Sequence, residues 1–285
     1  MALASKSRFQ IAFVLFAVGL VLVSYVMLSI STHKDWEYTV AHINIESVSG
    51  IAIDGDTLYA TQETRNHDGK LIAITDGTIT ILESSLQKPD GLTLWFGKPT
   101  YTQEFGKTFV YAFSGNRSEP IFETDGAEGI DSTRNGDLFI VEDKPSGSLL
   151  KYSHATATVT ELAEGLNQAE GVCAMESGAI FYVEKSSDTI FKIEGGNTTA
   201  FISGLTKPGF LHCNEEDGGV WITEDRSNFG RLLHSTMTGS LSIVASGLKS
   251  PQGLDIDSDG SLYLAEQGRN RILKFTPSGG STGES

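Results

Sequence analysis

The sequence predicts an all-β fold, a six-bladed β-propeller of four-stranded blades closed by an N-terminal strand and preceded by one transmembrane helix. Two marks recur along the chain. A glycine stands at Gly50, Gly91, Gly129, Gly171, Gly209 and Gly253, and a glutamate follows it at Glu63, Glu104, Glu142, Glu184, Glu224 and Glu266. The offset between the marks is thirteen residues in five copies and fifteen in one, and successive glycines lie 38 to 44 residues apart. That period holds four short strands but is too short for a βαβ crossover with its helix.

The clearest copy, Pro251 to Pro277, reads as three strands: Gly253 to Asp257, then Leu262 to Glu266 after a turn at Asp259-Gly260, then Arg271 to Thr276 after the polar loop Gln267 to Asn270. No fourth strand follows, because residues 278–285 are a Gly/Ser tail. At the other end, Tyr38 to Ile45 alternates like a strand and has no inner strand before it. The two deficits complement each other, so Tyr38 to Ile45 is expected to be the outer strand of the last blade, joining the chain's ends and closing the ring.

The first full blade reads as Gly50 to Asp54, a Gly55-Asp56 turn, Leu58 to Gln62, Lys70 to Thr75, an Asp76-Gly77 turn and Thr78 to Glu83. Asp-Gly and Asn-Gly between alternating runs are strong hairpin signals. Similar punctuation recurs at Asn135-Gly136, Ser177-Gly178, Gly195-Gly196, Asp217-Gly218 and Asp259-Gly260. Residues 36–277 are therefore one propeller.

Ahead of it, residues 1–10 are short and basic, and residues 11–31 form an apolar segment without charge, long enough to cross a bilayer as a helix. Lys6 and Arg8 on its N-terminal flank place that end in the cytoplasm and the propeller on the outer side. Ser29 and Ser31 offer a weak cleavage site, and cleavage there would give a secreted protein. The chain has 285 residues and a net charge of −15. Such acidity disfavours nucleic acid as a partner; cations, cationic ligands or plain solubility suit it.

The motif PxGL…DGxLYLAE…NRILKF, from Pro251 to Phe275, resembles an NHL repeat. The chain as a whole resembles the NHL and gluconolactonase-like superfamily of six-bladed propellers, which includes paraoxonases and strictosidine-synthase-like proteins. The resemblance covers nearly everything after residue 36. It implies the fold, whereas activity must be argued from the site, since these propellers include hydrolases, lyases and binding platforms.

A residue needed for folding recurs in every blade, and a site forms where blades differ. The six glutamates are read as structural, each closing a second strand and accepting backbone N–H bonds. The residue before each glycine differs: Ser49, Asp90, Glu128, Glu170, Pro208 and Gln252. This position opens the innermost strand, so these side chains should converge on the central channel. Ionised carboxylates about 7 Å apart repel by about 2 kcal/mol per pair at an effective dielectric near 20, which favours a bound cation or a raised pKa. Hard oxygen donors select Ca²⁺ or Mg²⁺.

The resemblance implies metal ligands at this position, which assigns Asp90, Glu128, Glu170 and Gln252, and implies hydrolysis of a small ester or lactone. Ser49 stands where the gluconolactonase-like pattern has Glu, and no blade supplies its Asn. His67, in the loop after Glu63, and Glu128 are the candidates for activating water. The alternative is a non-enzymatic platform for a protein or glycan ligand. His212 is read as an interior histidine, and Cys173 and Cys213 as small buried residues whose different offsets from Gly171 and Gly209 argue against a disulfide. Asn116-Arg117-Ser118 and Asn197-Thr198-Thr199 are glycosylation sequons in outer turns.

Overall fold

The computed structural model describes residues 29–278, and the chain from Thr32 onward forms one compact unit. The basic segment 1–10, nearly all of the predicted membrane-spanning segment 11–31 and the tail beyond Ser278 lie outside the described residues. Among the described residues no helix is long and apolar enough to cross a membrane.

Six antiparallel sheets surround a central channel. From the axis outward, blade 1 consists of Val48–Asp54, Thr57–Gln62, Gly69–Thr75 and Thr78–Leu86. The inner strands of blades 2 to 6 are Pro89–Trp95, Ala127–Ser132, Ala169–Ala174, Pro208–Asn214 and Pro251–Ile256. Trp36–Ile43 pairs with Arg271–Pro277 as the fourth strand of blade 6, in the register Trp36 with Pro277 and Tyr38 with Phe275. Ring closure by the N-terminal strand is thus borne out.

Apolar side chains from facing sheets fill the gaps between blades. Val141, Leu149, Val172 and Tyr182 pack between blades 3 and 4, and Phe181, Val183, Leu211 and Ile222 between blades 4 and 5. At the axis the inner strands touch backbone to backbone. A Cβ on Gly171 would stand 2.2 Å from Gly209 O, and one on Gly91 2.3 Å from Glu128 O. In every blade but the fifth the repeated glycine therefore exists because no side chain fits between that inner strand and the next.

Turn length sets the register within each blade. Blades 1 and 2 join inner and second strands by two residues, Gly55-Asp56 and Phe96-Gly97, whereas blades 3, 4 and 6 use five-residue turns. The short turns bring the frame position forward by one. Gln62 and Gln103 occupy it in blades 1 and 2, and Glu142, Glu184, Glu224 and Glu266 in the others. The four glutamates accept backbone N–H bonds from Asp125, Asn167, Thr206 and Lys249, and Gln103 accepts one from Gln87. Glu63 and Glu104 do not belong to this frame, which corrects the structural role expected for them.

Blade 5 is shifted the other way. Pro208 pairs with Glu224 as Pro251 pairs with Glu266, and Leu211 with Ile222 as Leu254 with Leu264. Phe210 therefore holds the place of the repeated glycine, and Gly209, not Pro208, is the axial residue.

The expectation of unpaired cysteines is overturned: Cys173 and Cys213 form a disulfide across a Cα–Cα distance of 5.4 Å. Counted from Phe210, Cys213 is the third residue of its blade, and Cys173 is the second after Gly171. This step, from the second residue of one blade to the third of the next, links other blades too. Asp131 Oδ2 accepts the N–H of Ala174, Asp255 Oδ2 accepts that of Ile53, each at 2.8 Å, and the Thr93 and Ser132 hydroxyls lie 3.0 Å apart. The disulfide is the covalent version of a repeated inter-blade contact.

Candidate functional site

Two rings of side chains meet at one mouth of the channel. The first comes from the axial positions, Ser49, Asp90, Glu128, Glu170, Gly209 and Gln252. The second comes from the residue after each second strand: Glu63, Glu104, Asp143, Lys185, Asp225 and Gln267. The backbone builds the second ring identically in all six blades. Each member's N–H donates to the carbonyl of Ser47, Lys88, Gly126, Gln168, Lys207 or Ser250, just before an inner strand. All six acceptors have φ between 40° and 70°, a left-handed turn that directs the carbonyl at the mouth.

Asp90, Glu128, Glu170 and Gln252 are all buried at 6 % exposure or less. The predicted residues thus share one mouth, but their partners differ. Carboxylate oxygens of Glu63, Asp90 and Glu104 lie within 4.8 Å of one another, as do those of Glu104, Glu128 and Asp143. Gln252 instead hydrogen-bonds the Asp225 side chain. The Ser49 hydroxyl donates to Asp90 Oδ1 at 2.5 Å.

Two lysines enter this acidic mouth. Lys185 Nζ lies 2.5 Å from Asp143 Oδ2 and 3.1 Å from Glu128 Oε2. Lys88 pairs with Glu104 and, at 3.2 Å, with Glu63. They do not neutralise the site. Burial, then Glu63, pushes Asp90 up to about 7 against the Ser49 hydrogen bond and Lys88. Burial, then Glu170 and Asp90, raises Glu128 well above the ordinary carboxylate range. Burial takes Glu170 to about 8 despite Lys185. Burial opposes the charge of Lys185, yet Glu128, Glu170 and Asp143 raise its pKa above that of a free lysine. Asp143 Oδ1 is buried without a hydrogen-bond partner among the described residues.

These donors fit a hard cation. They are all oxygens, several are buried together, and Asp143 Oδ1 and Asp225 Oδ1 have no hydrogen-bond partner among the described residues. Glu104 and Asp143 were missed as site residues, and Lys185 with them. Their signal was available as the chemistry of the residue that follows each second strand, acidic in four blades and basic in one.

His67 is not among these residues. It is exposed, with Nε2 2.5 Å from Gln87 Nε2, beside a groove between blades 1 and 2 lined by Tyr101, Phe105 and Tyr111. His212 lies farther down the channel, in a cavity of about 290 Å³ bounded by all six inner strands, with Nδ1 3.6 Å from Asp255 Oδ1.

No family model matches the sequence, and no curated protein matches it in sequence. Solved structures do match in fold. A gluconolactonase of Xanthomonas campestris superposes with a TM-score of 0.73 at 12% identity, over 87% of this chain and 91% of that one. The calcium-binding protein regucalcin of Agrobacterium tumefaciens gives 0.66 at 13%, over 83% and 91%. Virginiamycin B lyase of Staphylococcus aureus gives 0.63 at 16%, over 85% and 100%. The chain carries the six-bladed propeller fold of the gluconolactonases and the streptogramin B lyases.

Proposed function

We propose that the protein is a divalent-cation-dependent hydrolase of small esters or lactones, held at the outer face of a membrane by residues 11–31. The observation that carries this reading is the convergence of buried carboxylates on one channel mouth, with Asp143 Oδ1 left without a partner. Glu104, Glu128 and Asp143 would hold Ca²⁺, with Mg²⁺ as the smaller substitute, and Asp90 and Glu170 flank them. The likeness to a gluconolactonase and to a calcium-binding regucalcin supports the assignment. The Cys173–Cys213 disulfide supports an extracytoplasmic propeller, because disulfides persist in oxidising compartments.

When bound, the cation supplies Lewis-acid polarisation of the substrate carbonyl. The chain's own residues do the rest. Glu170 borders the axial position of Gly209, where no side chain intrudes, and it is the carboxylate to which we assign the attacking water. With its carboxyl ionised it accepts a proton from that water as the oxygen attacks the carbonyl carbon. It returns the proton to the departing alkoxide when the acyl C–O bond breaks.

The second reading, a non-enzymatic platform for a protein or glycan, is favoured by the lysines already paired within the mouth. Thermal melting of the chain in EDTA and then in excess Ca²⁺ separates the two. Binding to the native state raises the midpoint with the logarithm of cation concentration over Kd. A rise in wild type that is lost in Glu128→Gln supports the hydrolase. No rise, or an equal rise in the variant, removes the cation site and leaves the platform.

A further inference from the structure

The proposed cation site already contains a cation that belongs to the chain. We infer that Lys185 is a resident counter-ion which a divalent cation must displace, so that this side chain weakens the cation affinity of the mouth and is released to solvent when the site fills. The inference rests on the cation-site reading above.

Its position is the first argument. The second ring holds Glu or Asp in four blades and Gln in one, and blade 4 alone places an ammonium there. Its contacts are the second. Nζ sits on Glu128 and Asp143, two of the three residues whose oxygens converge within 4.8 Å. A lone ammonium has three N–H donors, and it leaves Asp143 Oδ1 buried and unpaired. An oxygen-liganded Ca²⁺ takes six to eight donors and accepts bidentate carboxylates, so it would use the oxygen that the lysine does not.

Accessibility is the third. The Lys185 side chain is 32% exposed, while its partners Glu128 and Asp143 are 4% and 5% exposed. The lysine reaches in from the solvent side and can withdraw without moving a strand, whereas the carboxylates cannot. Lys88 is different: it pairs with Glu63 and Glu104 rather than with Glu128 or Asp143, and at 15% exposure it is the less free of the two lysines to withdraw to solvent. Like charges a few ångströms apart repel strongly in a buried setting, so ammonium and divalent cation exclude each other at Glu128.

The test is Ca²⁺ titration by calorimetry on wild type and Lys185→Met, together with acetylation footprinting of wild-type lysines read by mass spectrometry. Removing the competing charge is expected to tighten Ca²⁺ binding about tenfold or more, while Lys185→Arg binds no more tightly than wild type. Acetylation of Lys185 is expected to be slow in EDTA and to rise severalfold in Ca²⁺, with Lys88 unchanged. The footprint uses wild type alone and therefore stands even where Lys185→Met folds poorly. Equal Kd values in wild type and Lys185→Met, or labelling of Lys185 that ignores Ca²⁺, overturn the inference while leaving the cation site intact. Absence of Ca²⁺ binding in both chains overturns the cation site and this inference with it.

Discussion

Lys185 Nζ stands 3.1 Å from Glu128 Oε2 and joins blade 4 to blade 3 across the channel mouth. The pair is not balanced, because Glu170 and Asp90 also act on Glu128, and the three carboxyls hold protons at pH values where exposed carboxylates have lost them.

Stability without divalent cation should therefore fall as pH rises. Burial raises Asp90 to about 7 and Glu170 to about 8 in the folded chain, against ordinary values near 4 when unfolded. Between those limits the folded state binds more protons than the unfolded one, so its stability is full below about pH 4 and is lost on the way to pH 8. Melting in EDTA across pH 5 to 8 is expected to show a descending midpoint. Glu170→Gln should flatten that descent and raise the midpoint at pH 8.

The disulfide closes a loop with a sequence separation of 40 residues. Replacing both Cys173 and Cys213 by Ser is expected to cost about 2–4 kcal/mol of stability, chiefly by freeing the unfolded chain. Urea unfolding of the double variant measures it, and reducing agent should shift wild type the same way.

Frame and mouth carboxylates should separate by variant. Glu266 is fully buried, accepts the Lys249 N–H at 2.9 Å and pairs with Arg269 and Arg271. Glu266→Ala removes the buried carboxylate that the Lys249 N–H, Arg269 and Arg271 share and should destabilise by about 3–5 kcal/mol. Glu104→Gln, outside the frame, is expected to melt within a few degrees of wild type and to lose most of the Ca²⁺-induced rise.

Closure by the N-terminal strand is testable by truncation. A chain beginning at residue 29 should melt in one cooperative transition. A chain beginning at residue 45 lacks Trp36–Ile43, exposes the edge of Arg271–Pro277 and should associate or melt without cooperativity, as sedimentation and calorimetry would show.

Much of the fold was legible because its signals are local. Alternation along Leu262 to Glu266, Asp-Gly turns and a glycine every 38 to 44 residues each report on a few neighbouring residues. The complementary deficits at the two ends were enough to place Tyr38 in the last blade. The axial positions of Asp90, Glu128, Glu170 and Gln252 were legible too, since they precede a glycine that close strand contact demands.

What failed did so by one residue. Glu63 and Glu104 share an offset with Glu142, yet the two-residue turns at Gly55-Asp56 and Phe96-Gly97 carry them past the frame and into the mouth. Pro208 precedes a glycine, yet the strand pairing of blade 5 makes Gly209 the axial residue. The same slip hid the disulfide, because Cys213 was counted from the wrong start.

By itself the sequence determined an all-β ring of six blades, its closure by residues near Trp36, and the acidic character of one channel end. Only the tertiary structure decided that Lys185 stands on Glu128 and Asp143, that Glu104 joins them, and that Cys173 meets Cys213. Each of these contacts crosses between blades. Its geometry depends on turn lengths and on the stagger of neighbouring strands, which accumulate over the whole ring and are written in no single repeat.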